Sequence, residues 1–293
     1  MKNPNLHLPY RFHIGTQKAA STFFYHWLKQ NSSVSVSPLQ EINFFDHHFE
    51  KGLDWYNSVF AGKGARIDTS PKYFMRASLV APRIYSYQKE VLQGKRCLFL
   101  LILRNPADYV FSHFQMQFNQ GFFKKISPQR QKIAEKGFEE YIKHYPGFLN
   151  RGKYFSLLSE WLKYFDLSQF KIIIFENFVR QPEKWAKEIA DFWRLPLNSN
   201  FSQISGSSRN KMLKYSWLAR VRQWTVKRQW FKHRLQSSRV FNYFYDRLLT
   251  TTAPERLSPP MRQYLENEFE PQIKQLEKLL SINLGGWKKT SKR

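Results

Sequence analysis

Cysteine, acidic side chains and long apolar runs are the scarce features of this 293-residue chain. The single cysteine, Cys97, stands inside the apolar run CLFLLIL and reads as a buried small residue. It leaves no disulfide framework and no cysteine metal site, and points to a reducing compartment. The opening residues, MKNPNLHLPYRFHIG, contain no signal-like apolar core, and no aliphatic or aromatic run approaches the ~20 residues of a membrane span. These absences predict a cytoplasmic protein. Among the 8 histidines only His47 and His48 are adjacent, and neighbouring side chains on a strand or turn point apart, so no metal-binding spacing is present. Acidic residues number 22 against 47 Lys+Arg, a formal charge of +25. That excess attracts nucleotides, polysaccharides, phospholipid headgroups or nucleic acid without choosing among them.

What is present fits a globular protein: 42% hydrophobic residues, 17% of the chain aromatic. Four short, apolar segments read as buried parallel strands: RFHIG, ARIDTSP, RCLFLLILRNP and KIIIFENF. Helical patterns separate them: the run from Gly15 to Gln30, ADYVFSHFQMQF after Pro106, FSLLSEWLKYF, and QPEKWAKEIADFWRL. This alternation predicts an α/β fold with ligands at the carboxyl ends of the strands. Residues 118–153 are polar, basic and weakly periodic, as an insertion or lid would be. Residues 205–239 interleave Trp217, Trp224 and Trp230 with lysines and arginines, and 259–280 reads as a closing helix. No repeat or low-complexity linker divides residues 1–293, which are read as one domain.

The stretch HIGTQKAASTFF joins a strand end, a glycine turn and a helix start. Such a junction offers unpaired amides at the positive end of a helix dipole and suits a phosphate. It is not an ATP-binding Walker A loop. There the lysine immediately precedes Ser or Thr, whereas here Ala19 and Ala20 separate Lys18 from Ser21 and a second glycine is missing. A second segment, LILRNPADYVFSHF, puts Arg104 at the carboxyl end of a buried strand and Ser112 about two helical turns further on. The arginine can grip a phosphate with its planar fork, and the serine can add a donor.

Together the two segments resemble the sulfotransferases that use 3′-phosphoadenosine 5′-phosphosulfate (PAPS), whose first loop has the form G-x-x-K-small-small-[ST]-[ST] and whose second motif is R-N-P followed by a serine. The resemblance implies a three-layer, P-loop-like α/β fold with a central parallel sheet of about four to five strands flanked by helices. It implies that Lys18 contacts the leaving phosphate oxygen, that Ala19, Ala20, Ser21 and Thr22 hold the 5′-phosphate, and that Arg104 and Ser112 bind the 3′-phosphate. SGSSRNKML resembles the family's late basic loop, which adds Arg209 and Lys211 as nucleotide contacts; a solvated basic loop is the alternative for both.

QEINFFDHHFEKGLDWYNSVF and IDTSPKYF resemble the glycan-type branch of the family. By position Glu41 matches its general base, and Asp68, Ser70 and Lys72, with His47 and His48, fall near the acceptor. Thr69 and Asn43 depart from that branch's pattern, which bears on acceptor identity rather than on chemistry. His47 or His48 can assist Glu41 or replace it, since histidine titrates near neutrality.

The predicted activity is sulfuryl transfer from PAPS, without a metal, to a hydroxyl or amine of a small-molecule, glycan or glycolipid acceptor. The basic segment 205–239 is read as a solvated helix face with tryptophan anchors, or as peripheral contact with an anionic membrane; no module for specific nucleic acid recognition accompanies it. Two rival readings remain at this level. One is a P-loop kinase using ATP and magnesium, with KIIIFE as its acidic strand end. The other is a non-catalytic polyanion-binding or membrane-binding protein.

Overall fold

A computed structural model describes residues 8–31, 33–60, 64–196, 212–213, 250–251 and 257–288. The predicted segments RFHIG, ARIDTSP, RCLFLLILRNP and KIIIFENF form strands β1 (Arg11–Gly15), β3 (Ala65–Thr69), β4 (Leu98–Leu103) and β5 (Phe170–Ile174). A further strand, β2 (Val34–Val36), extends the sheet to five. Their order is β2-β3-β1-β4-β5 and every pairing is parallel. Glycine ends β1 because the chain passes too close to the next layer for a side chain: a Cβ on Gly15 would stand 2.7 Å from the Cβ of Phe74.

Helices in chain order are α1 (Ser21–Gln30), α2 (Phe44–His47), α3 (Gly52–Ser58), α4 (Ala77–Ser86), α5 (Pro106–Asn119), α6 (Phe122–Ile126), α7 (Pro128–Glu135), α8 (Phe138–His144), α9 (Tyr154–Leu162), α10 (Phe175–Arg180), α11 (Pro182–Trp193) and α12 (Pro259–Leu280). Starts are encoded locally. Asn105 accepts from the amides of Ala107 and Asp108 at the head of α5, with Pro106 in the first turn where its missing N–H costs nothing.

The chain groups into two compact units: 1–110, 148–207 and 264–293 form the first, 111–147 and 208–263 the second. In the first unit, alternation along β4 divides the core. Phe99 faces Phe12, Trp161, Phe165 and Phe170. Leu100 and Ile102 join Phe24, Trp27, Ile173, Ile189 and Trp193 on the opposite face. This is the expected α/β architecture of a parallel sheet between helical layers. His13, on β1 against Phe24, is wholly buried; desolvation lowers its pKa to about 4 and keeps it neutral.

In the second unit, residues 122–144 supply α6, α7 and α8, gathered about the rings of Phe114, Phe123, Phe138 and Tyr141. Of the basic segment 205–239 only Met212 and Leu213 are described, paired antiparallel with Thr250 and Thr251. Its proposed membrane or solvent face therefore lies outside the described residues. No helix among the described residues is long and apolar enough to cross a membrane.

Candidate functional site

The turn between β1 and α1 is built around two non-glycine residues in the left-handed region, Lys18 (φ 63°) and Ala20 (φ 62°). That conformation is costly for residues bearing a Cβ and persists where surrounding structure enforces it, commonly at ligand sites. Thr16 anchors the turn's entry, its amide and hydroxyl both donating to the carbonyl of Ile102 at 2.9 and 3.0 Å. Ala19 is buried in the core and Ser21 opens α1 half-buried. No side chain caps this helix start and its first turn carries no acidic residue, so its amide dipoles stay directed outward. Thr22 is the second residue of α1; its side chain lies outside the described residues.

Arg104 leaves the carboxyl end of β4, the strand beside β1, and its guanidinium donates to the carbonyl of Lys18 at 3.2 Å. The predicted Lys18 and Arg104 thus come together. Burial, and then the charge of Arg104, lower the pKa of Lys18. Among the described residues neither cation forms an ion pair with a carboxylate. Ser112 lies half-buried on α5, in the part of that helix assigned to the second unit. Arg209 and Lys211 lie outside the described residues.

Glu41 approaches the same turn. The side-chain amide of Gln17, adjacent to Lys18, donates to Glu41 Oε1 at 3.4 Å, and Lys72 Nζ stands 3.0 Å from Oε2. Glu41 and Lys72 are both partly exposed, at 27% and 41% of the side chain, so carboxylate and ammonium can both meet solvent or an acceptor. His47 pairs with Asp46 at 3.1 Å, and His48 sits edge-on to Trp55 with its pKa lowered by burial and then by Lys51 and His47. Neither histidine is hydrogen-bonded to Glu41 among the described residues.

Asp68 and Ser70, expected from sequence near the acceptor, are both wholly buried in this structure. Asp68 accepts hydroxyl protons from Ser70 at 2.5 Å, Tyr56 at 2.8 Å and Tyr73 at 3.0 Å. Burial pushes its pKa up to about 6 despite those three donors. Ser70 Oγ in turn accepts from the amide of Asn43, Tyr73 accepts from that of Phe45, and Thr69 donates to the carbonyl of Gln40. The cluster therefore grips the backbone on both sides of Glu41.

Glu176, the acid of KIIIFE, is also committed. Its two oxygens accept from the amide of Asn105 at 3.0 Å and the indole of Trp287 at 3.1 Å. Residue spacing gave no hint of this pairing. Among the described residues no group of three His, Cys, Asp or Glu is placed to hold a metal ion.

A parallel α/β sheet that brings together, at the ends of adjacent central strands, a helix start and two cations with no carboxylate partner among the described residues has the makings of an anion-binding site. The chain belongs to the sulfotransferase domain family, whose model matches residues 12–253. It is 27% identical over 215 residues to a bifunctional heparan sulfate N-deacetylase/N-sulfotransferase of Drosophila melanogaster, covering 64% of this chain and 20% of that protein. It is 26% identical over 208 residues to heparan sulfate glucosamine 3-O-sulfotransferase 5 of Mus musculus, covering 64% of this chain and 54% of that one. The chain thus spans about half the length of one relative and a fifth of the other. A sulfotransferase of Alicyclobacillus acidocaldarius shares the fold, with a TM-score of 0.60 at 19% identity over 95% of this chain and 98% of that one.

Proposed function

We propose that this sulfotransferase moves a sulfuryl group from PAPS to a hydroxyl or amine of a carbohydrate or glycolipid. The carrying observation is the meeting of Lys18 and Arg104, partly buried, mutually repelling and, among the described residues, without a carboxylate partner. Holding two cations together is unfavourable unless an anion completes the site. The left-handed turn and uncapped start of α1 supply amides for the 5′-phosphate, and Arg104 supplies a fork for the 3′-phosphate.

Glu41 is the base in this reading. It takes the acceptor proton as the acceptor atom bonds to sulfur, while the bond from sulfur to the bridging phosphate oxygen breaks. Lys18 stabilises the charge that develops on that oxygen, an electrostatic contribution that needs no metal. The link from Glu41 through Gln17 to the Lys18 turn supports this division of roles. A carbohydrate acceptor is supported by the two relatives named for heparan sulfate, and Lys72 beside Glu41 suits an acceptor that carries negative charge.

Calorimetric titration of 3′-phosphoadenosine 5′-phosphate into the full chain, with chelator present and adenosine 5′-phosphate as comparison, tests the donor site. Binding that depends on the 3′-phosphate is expected, and Arg104→Ala should weaken it by ~1.5–3 kcal/mol, the range for hydrogen bonds to charged groups. Equal, weak binding of both nucleotides would reduce the turn to a general anion site.

A further inference from the structure

The Arg104 turn is held from four sides, and the last holding residue lies at the far end of the chain. Tyr154 donates its hydroxyl to the carbonyl of Arg104 at 3.0 Å, and Phe175 lies under the guanidinium with its ring centre 5.4 Å away. Glu176, next to Phe175, accepts the amide of Asn105. The fourth side is Trp287. Its carbonyl accepts from the Asn105 side chain at 2.6 Å, and its indole N–H meets the Glu176 oxygen that Asn105 leaves free. Trp287 is 3% exposed and packs edge-on to Tyr154 at 6.2 Å.

The segment carrying Trp287 is itself fixed. Glu277 of α12 accepts the amide of Leu284 at 2.6 Å, Trp287 closes a tight turn onto the carbonyl of Leu284 at 2.8 Å, and Lys288 pairs with Glu270 of α12 at 2.7 Å. Glu176 is therefore a clamp between two donors, one on the arginine's neighbour and one on this turn. A carboxylate that loses one of two N–H donors is free to rotate toward water and release the other.

We infer that Trp287 is a positioning residue for donor binding: through Glu176 and Asn105 it holds Arg104 in the orientation that grips the 3′-phosphate. The inference rests on the donor reading given above. It assigns Trp287 no contact with the nucleotide. Its effect passes through Arg104 alone, which separates it from a general packing role.

The test is calorimetric titration of 3′-phosphoadenosine 5′-phosphate and of adenosine 5′-phosphate into the full chain as wild type, Trp287→Phe, Arg104→Ala and the double variant. Phenylalanine keeps one aromatic ring in the core and removes the indole donor together with part of the ring volume, which is why the selectivity between the two nucleotides, not the loss itself, is the readout. Trp287→Phe should weaken binding of the 3′-phosphorylated nucleotide by about tenfold, equivalent to ~1.4 kcal/mol, and leave adenosine 5′-phosphate unaffected. In the Arg104→Ala background it should add no further loss, since the two changes act on one interaction.

Wild-type affinity in Trp287→Phe, equal weakening of both nucleotides, or additive losses in the double variant would overturn the inference while leaving the donor site standing. A wild type that does not distinguish the two nucleotides would overturn the donor reading and this inference with it. If Trp287→Phe fails to fold, Glu176→Gln asks the same question: the side chain keeps its volume, but one acceptor becomes a donor facing an N–H. The same selective loss is expected, and none would overturn the clamp.

Discussion

Glu41 and Asp68 are both carboxylates in the two motifs that resemble the glycan-type branch, and their surroundings differ sharply. Glu41 is partly open to solvent and touches Lys72 and Gln17 of the β1–α1 turn. Asp68 is sealed among hydroxyls. Changing Glu41 to glutamine keeps the volume and removes the proton acceptor, so turnover should fall by ~10²–10⁴-fold, the usual worth of general base catalysis, with calorimetric affinity for 3′-phosphoadenosine 5′-phosphate unchanged. Retained turnover would move the base role to another group. The sequence motif singled out both acids because both lie where glycan-type relatives carry functional residues. It could not separate them, since the hydroxyls that occupy Asp68 come partly from Tyr56 on α3 and Tyr73 beyond β3. Burial is a tertiary property, whereas a motif reports only position along the chain.

At the scale of elements, the end of β3 acts as a bracket for the segment 40–45. Contacts to Gln40, Asn43 and Phe45 all originate from residues within or just after that strand. Asn43 adopts a left-handed φ of 51°, which the two flanking amide contacts help to hold. The bracket also carries a pH signature. Burial raises the Asp68 pKa in the folded protein to about 6 from its ordinary 3.8, so between those values the native state binds more protons than the unfolded one. Stability from this group is then complete below the unfolded value and is lost as pH rises through the folded one. Thermal unfolding of wild type and Asp68→Asn from acid to neutral pH should show the melting-temperature advantage of wild type shrinking from about pH 4 to pH 6. A widening advantage would mean that the three hydroxyls outweigh desolvation and hold the carboxylate ionised. Elements themselves were largely readable. Short segments with apolar or β-branched residues, bounded by turn signals or by charged residues, announce β1, β3, β4 and β5, but the three-residue β2, VSV, is too short to stand out from the serine-rich turn around it. The helices α6, α7 and α8 were hidden for another reason: their polar, lysine-rich faces dilute the apolar period that would reveal them.

Over the whole molecule, the sheet places its first strand in the middle, with β3 and β4 on either side. Two motifs some 86 residues apart, Lys18 and Arg104, are thereby brought into hydrogen-bond contact; a parallel α/β pattern puts both at carboxyl ends of strands, but that these strands are neighbours is a property of the sheet order. The engagement of Trp287 with Asn105 across 182 residues had no such signal, because nothing in a helical period or a turn motif says which distant loop a terminal aromatic will meet.

The aromatic content gives the fold an optical property as well. Tyr56, Tyr73, Tyr87, Tyr109 and Tyr154 are all buried, and desolvation raises each phenol's pKa above its ordinary value. In an alkaline titration followed by phenolate absorbance in the near ultraviolet, exposed tyrosines should ionise first. These five should then appear in a second, abrupt step that coincides with loss of the far-ultraviolet circular dichroism signal. A single smooth titration curve completed in the native state would show that water reaches them. The phenols that line the interior thus serve as an intrinsic dye, colourless while the sheet and its helices stay closed and coloured once they part.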